Sequence, residues 1–201
     1  MNSPAADHAD ITVAILAGGR AERLAGADKG LHELDGRPLI ESVLDALRLQ
    51  DVSRLLIVAN RNPERYAHYA TTINDSIPDY RGPMAGIAAA LAACSTRWML
   101  SVPVDCPQPP VDLLARLLAA ACSDDACAIV AHDGERRQPL FAIYTRELAS
   151  SAAQAALEGQ GVWQWQDSRR ARELDFSDQR AHFCNLNTTA EFVAYAQRGR
   201  D

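Results

Sequence analysis

The sequence predicts an α/β protein in which a mainly parallel sheet carries helices on both faces. Two observations lead there. Short, almost uniformly apolar runs recur as ITVAILA (11–17), RLLIVAN (54–60) and RWMLSVPVD (97–105), too apolar for strands with one wet face. Between them lie longer stretches with apolar residues at helical spacing, and strands separated by helices require right-handed crossovers within a parallel sheet.

The elements follow in order. Ile11–Ala17 forms the first strand. PLIESVLDALRLQ opens with Pro38, whose fixed φ suits the first helical position, and places Leu39, Ile40, Val43, Leu44 and Leu47 on one helical face. Residues 54–60 form the second long strand, and a short strand-like run precedes Asp75. GPMAGIAAALAAC and PVDLLARLLAAAC are helices on either side of the strand at 97–105. After Cys127, CAIVAH, the turn signal DGERR and PLFAIY predict a strand pair, and with it one antiparallel strand in the sheet. A helix follows from about Arg146 to Glu158, then GVWQWQ, in which Trp163 and Trp165 read as packing anchors. RELDFS and HFCNLN are short strands. Thr188 with Glu191 three residues later makes a capping box that starts a final helix. The architecture is a three-layer, Rossmann-like sheet with helices on both faces, formed by residues 11–201 as one domain behind a flexible tail of residues 1–10.

A chain of 201 residues, 48% hydrophobic and 23% charged, suffices for one well-buried domain. Its net charge of −6 argues against nucleic acid or an acidic membrane as a general partner. MNSPAADHAD lacks the basic and apolar regions of a leader, and no apolar run approaches membrane-spanning length, so a cytoplasmic protein is expected. Five cysteines without a CxxC pair point away from zinc and disulfides, and most read as small buried hydrophobes. Cys106 stands out because it adjoins Asp105.

Two constellations carry chemistry. LAGGRAERLAGADKG places Gly18 and Gly19 after the first strand, with Arg20, Arg23 and Lys29 close behind. Glycines let another group approach the backbone amides, and the cations suit a polyphosphate. A strand-to-helix turn with a charged rim accounts for the same residues. Neither the Walker A order nor G-x-G-x-x-G is present. The second is SVPVDCPQPP, in which Asp105 ends an apolar strand at the edge where parallel sheets bind ligands, and where a carboxylate can hold Mg²⁺; a capping role before the helix near Pro110 is the alternative, made awkward by the intervening residues. Asp75, in INDSIPDYRGPMAG, is as readily a turn former.

Taken together, LAGGRAERLAGADKGLHELDGRPLIE, NDSIPDYRGPMAG, VPVDCP and FCNLNTTAEF resemble the molybdenum cofactor guanylyltransferases of the MobA type over nearly the whole chain. Leu16, Ala17, Gly18, Gly19, Arg23, Asp28, Lys29 and Gly30 match the opening signature, while Leu24 and Ala25 stand where Met-Gly is usual. The resemblance implies transfer of GMP from GTP to molybdenum-molybdopterin, with release of pyrophosphate. It also implies that Leu16, Ala17, Gly18 and Gly19 hold the nucleotide, that Lys29 and Arg23 hold the phosphates, and that Asp75 and Asn60 take the guanosine. Asp105 would hold Mg²⁺. Asn185 and Asn187, on one face of the strand expected there, would meet the pterin or its phosphate; as strand-end amides they equally satisfy a local turn. Read from the residues alone, Arg136, Arg137 and Gln138 either line the acceptor pocket or form a solvated hairpin tip. Partners would be GTP and molybdenum-molybdopterin, with a molybdenum insertion protein and molybdoenzyme-specific chaperones. Two rivals are a related nucleotidyltransferase using CTP or a sugar-phosphate acceptor, and a non-catalytic nucleotide-binding cofactor chaperone.

Overall fold

The computed structural model describes residues 10–18, 28–52, 54–75, 82–123 and 126–198. Expectations for residues 1–9 and for Gly19, Arg20 and Arg23 lie outside them.

The first strand, β1 (Ile11–Leu16), is buried along its whole length and shows why the sheet needs two covers. Successive side chains of a strand alternate between faces. Ile11, Val13 and Ile15 enter one core, whereas Ala14 and Leu16 enter the other. The first core is closed by α1 (Leu39–Arg48) and α4 (Leu113–Ser123). The second is closed by α3 (Pro83–Ala93), α5 (Ala149–Leu157) and α6 (Val162–Ser168). α2 (Pro63–Tyr66) is a single turn that buries Tyr66 in the first core.

The remaining strands are β2 (Glu33–Leu34), β3 (Arg37–Pro38), β4 (Leu55–Val58), β5 (Thr71–Ile73), β6 (Trp98–Pro103), β7 (Ala128–His132), β8 (Arg137–Thr145) and β9 (Arg172–Asp175). Among the described residues the main sheet has the order β5-β4-β1-β6-β8-β7-β9. β1 runs parallel to β4 and β6, β4 to β5, and β7 to β9, whereas β8 is antiparallel to both β6 and β7. The three-layer, mainly parallel α/β architecture with one antiparallel strand is thus present. Strand order reverses between β1 and β6: the chain first builds outward through β4 and β5, then α3 carries it back to the far side of β1. Open α/β sheets bind ligands in the crevice at such a switch point.

Local departures have local causes. Pro38 stands just before α1 rather than at its first position, because it closes the small β2–β3 hairpin whose turn uses Asp35 and Gly36 at positive φ. HFCNLN forms no strand. Phe183 and Leu186 turn inward three residues apart, Phe183 against Phe141 and Phe176, so the period of two fails. Its amides also find other acceptors, Leu186 N on Asp105 O at 2.7 Å and Asn187 N on Glu191 Oε2 at 2.6 Å. The expected capping box is present: Glu191 N donates to Thr188 Oγ1 at 3.3 Å and Thr188 N to Glu191 Oε2 at 2.8 Å, opening α7 (Thr189–Arg198). GVWQWQ supplies α6, where Trp165 is buried as an anchor but Trp163 is 47% exposed. Of the cysteines, Cys94 and Cys106 are buried, Cys122 and Cys127 exposed and Cys184 half-buried, so burial describes only two.

Candidate active site at the carboxyl edge of the sheet

The end of β1 is stitched between its neighbours. Ala17 N donates to Val58 O at 2.9 Å and Val104 N to Leu16 O at 3.1 Å, which leaves Gly18 exposed at the switch point. A Cβ on Gly18 would meet only Asn60 Nδ2 at 3.8 Å and Val58 O at 3.9 Å, ordinary contact distances. Nothing described within the protein demands glycine there.

Asn60 follows β4 and Asp75 follows β5. They bind each other twice, Asn60 Nδ2 donating to Asp75 Oδ2 at 2.6 Å and Asp75 N to Asn60 Oδ1 at 3.0 Å. The pair fixes two neighbouring strand ends, with Asp75 half-buried and Asn60 beside Gly18.

The central feature lies across the switch point. Lys29 Nζ stands 3.0 Å from Asp105 Oδ2 and 2.6 Å from Asn187 Oδ1, joining segments 76 and 158 residues away in sequence. Lys29 begins a short 3₁₀ turn, Lys29–Leu31, while Asp105 leaves the turn after β6. Asp105 also accepts Leu186 N through its main-chain oxygen, which sets Asn185 and Asn187 on either side of that bond. Two oxygens here are buried without a hydrogen-bond partner among the described residues: Asp105 Oδ1 and Asn185 Oδ1. A buried acceptor left open is costly unless something outside the chain supplies the partner. Lys29, Asp105 and Asn187 therefore converge as three sequence motifs at one place, and Leu16, Ala17, Gly18, Asn60 and Asp75 line the same edge.

Other residues singled out in the sequence make contacts of their own. Arg137 is buried, donates to Asp167 Oδ1 at 2.6 Å and Glu173 Oε1 at 2.9 Å, and lies over the Trp163 ring at 4.9 Å. Gln138 is buried and donates to Asp133 Oδ2 at 2.5 Å. Both brace the hairpin from within, so neither is part of a solvated tip; Arg136 is exposed there. Cys106 Sγ donates to His182 O at 3.0 Å, and burial followed by the Asp105 charge pushes its thiol far above the usual range, so it holds the loop as a neutral thiol.

Two residues that contact the neighbours of Lys29, Asn62 and Tyr66, lie outside every motif. Asp28 accepts from the Tyr66 hydroxyl in a short hydrogen bond and from Asn62 Nδ2 at 3.0 Å. Gly30 lies so close to Tyr66 that a Cβ would stand 2.5 Å from its hydroxyl and 2.8 Å from Val104 Cγ2. The Asn-Pro pair at 62–63 is a turn signal and could have flagged the bend. Nothing local says that Tyr66 reaches back across 38 residues to Asp28.

Fold and site define a class: an α/β nucleotidyltransferase-type protein with one lysine and one carboxylate facing each other at the ligand edge. The model of the MobA-like NTP transferase domain matches residues 13–174. The chain is 42% identical over 184 residues to a molybdenum cofactor guanylyltransferase of Photobacterium profundum, covering 91% of this chain and 94% of that one. It is 40% identical over 193 residues to the Vibrio cholerae protein of the same name, covering 96% and 94%. Among solved structures, molybdopterin-guanine dinucleotide biosynthesis protein A from Archaeoglobus fulgidus superposes with a TM-score of 0.78 at 22% identity, covering 94% of this chain and 98% of that one, which shows the shared fold. The chain belongs to the MobA-like NTP transferase family.

Proposed function

We propose that this protein transfers GMP from GTP to molybdenum-molybdopterin, forming the guanine dinucleotide cofactor and releasing pyrophosphate. The observation that carries this reading is the Lys29–Asp105–Asn187 contact at the switch point, beside a strand end that leaves Gly18 open. Relatives of about the same length that bear the guanylyltransferase name support the choice of reaction.

The chemistry asks for charge management more than proton transfer. The attacking group is a phosphate monoester with a second pKa of about 6, already anionic at neutral pH, so no general base is needed. Its oxygen bonds to the α-phosphorus of GTP while the α–β bridging bond breaks, and the electron pair leaves with pyrophosphate. Lys29 exchanges part of its contact with Asp105 and Asn187 for phosphate oxygens, and its charge offsets the charge that builds on the leaving group. Arg23 would add a second cation. Gly18 and Gly19 give the phosphates close access to main-chain amides, and the Asn60–Asp75 pair takes the guanosine part. Asn185 and Asn187, flanking the bond to Asp105, meet the pterin or its phosphate.

The residues fit a divalent ion. Asp105 Oδ1 is a hard oxygen, buried and without a hydrogen-bond partner among the described residues. That suits Mg²⁺, which is commonly held by one or two carboxylates plus substrate phosphates. Bound there, the ion would screen the phosphate oxygens and the departing pyrophosphate. A cytoplasmic setting, with a molybdenum insertion protein upstream and molybdoenzyme chaperones downstream, completes the reading.

Pyrophosphate release from GTP, CTP and ATP, with and without Mg²⁺ and molybdenum-loaded pterin, tests it. Release should require GTP, the ion and the acceptor together. Equal release from CTP would point to a cytidylyl relative, and GTP binding with no release under any condition to a carrier.

A further inference from the structure

We propose that Asp28, Tyr66 and Asn62 form a clamp that sets the position of the Lys29 ammonium, and that it does so with neutral donors so that Asp28 does not draw Lys29 away from Asp105. The proposal rests on the phosphate role given to Lys29 above and adds three positioning residues to it.

Asp28 is the carboxylate nearest to Lys29 in sequence and the natural competitor for its charge. Yet Lys29 Nζ goes to Asp105 and Asn187 instead. The described partners of Asp28 are the Tyr66 hydroxyl on Oδ1 and Asn62 Nδ2 on Oδ2, one neutral donor for each carboxylate oxygen. Satisfied in this way, the carboxylate anchors the main chain without neutralising its neighbour.

Each clamp residue gives up something to be there. Asn62 stands at the N-terminal boundary of α2, where an Asn side chain ordinarily caps the helix. Here it makes no capping bond and its amide reaches Asp28. Its backbone sits in the left-handed region at φ 47, tolerated by Asn better than by most residues. Tyr66 is fully buried, and burial, together with the bond to Asp28, holds its phenol far above the usual range, so the hydroxyl remains a donor. Gly30 completes the fit by leaving room where a Cβ would collide with that hydroxyl. The Lys29 backbone is thus held from the residue before it and the residue after it, both against one buried tyrosine.

Lys29 is also the sole lysine of the chain; every other Lys or Arg position is arginine. Amine acylation followed by mass spectrometry therefore reads its freedom directly, apart from the α-amino group.

The experiment compares the parent with Tyr66→Phe and Asn62→Leu, each alone and combined with Lys29→Ala, after confirming cooperative melting; if one fails to fold, the other carries the test. Acylation of Lys29 should become severalfold faster in both single variants. Single-turnover pyrophosphate release should fall by about tenfold, the scale of one hydrogen bond to a charged group, with the GTP KM little changed. In the Lys29→Ala background neither clamp substitution should lower the rate further. Unchanged acylation overturns the clamp, as does an equal loss of rate with and without Lys29. Should the parent release no pyrophosphate from GTP, the functional reading fails, while the acylation rates still decide whether Asp28, Tyr66 and Asn62 hold the lysine.

Discussion

Two glycines of the site should respond in opposite ways to the same added methyl group. At Gly30 the new Cβ would lie 2.5 Å from the Tyr66 hydroxyl and 2.8 Å from Val104 Cγ2. Neither neighbour can step aside. Tyr66 is 0% exposed and bonded to Asp28, and Val104 is 4% exposed within the core. Overpacking of this kind costs roughly 2–3 kcal/mol, and at about 2–4 °C per kcal/mol for a chain of this size Gly30→Ala should melt about 4–12 °C below the parent. At Gly18 the same methyl meets nothing closer than 3.8 Å, so Gly18→Ala should keep its stability within about 0.5 kcal/mol. Its cost falls on the ligand instead. A methyl on the face open to phosphates pushes them off by an atom's width, and GTP affinity should drop by more than about tenfold. Thermal melts followed by circular dichroism and calorimetric GTP titrations read both effects. Gly30→Ala melting with the parent would mean that the Tyr66 contact yields easily and holds nothing. Normal GTP binding by Gly18→Ala would remove the phosphates from the end of β1.

Two further outcomes follow from single carboxylates. Asp105→Asn keeps the side-chain shape but loses its charge, so metal-free GTP affinity should hold or rise slightly while Mg²⁺-dependent turnover falls by about a hundredfold, the scale of one lost electrostatic stabiliser; a folded variant with normal turnover would reduce Asp105 to a turn residue. Asp133 is a structural case: burial would raise its carboxyl, but the amides of Arg136 and Glu135 and the Gln138 side chain outweigh that and hold it below the usual value. A value lower when folded than unfolded means stability present above the ordinary carboxylate range and lost as pH falls, so Asp133→Asn should flatten the decline in melting temperature below about pH 4. Identical acid limbs would contradict this.

What the sequence made legible follows from the range of each signal. Periodicity acts over a few residues, so the buried runs at 11–17, 54–60 and 97–105 announced a doubly covered sheet, and the spacing of Thr188 and Glu191 announced the last helix. The candidate site residues Lys29 and Asp105 drew notice in the sequence because each sits in a segment whose residue choice is odd for a plain turn. Contacts closed by the tertiary fold were not visible. The pairing of Asn60 with Asp75, and of Tyr66 with Asp28, depends on which strand ends become neighbours, and that is decided by the order β5-β4-β1-β6. HFCNLN misled for a related reason. Its alternating letters suggested a ladder, but among the described residues no strand pairs with it, and its amides turn to Asp105 and Glu191.

Asp105 explains why the parts of the site must arise together. Its main-chain oxygen holds Leu186, one side-chain oxygen holds Lys29, and the other is buried without a partner among the described residues. One residue in the turn after β6 therefore ties Lys29 to the segment before α7, and Asn187 closes the triangle by accepting from the same ammonium. Interactions that share partners in this way do not add. Losing Lys29 leaves Asp105 Oδ2 and Asn187 Oδ1 without their common donor, whereas losing Asn187 still leaves the lysine its carboxylate. The lysine is thus the member that the other two depend on. That dependence gives a physical reason for the molecule to spend a buried tyrosine, an uncapped helix start and an obligatory glycine on the two residues that flank it.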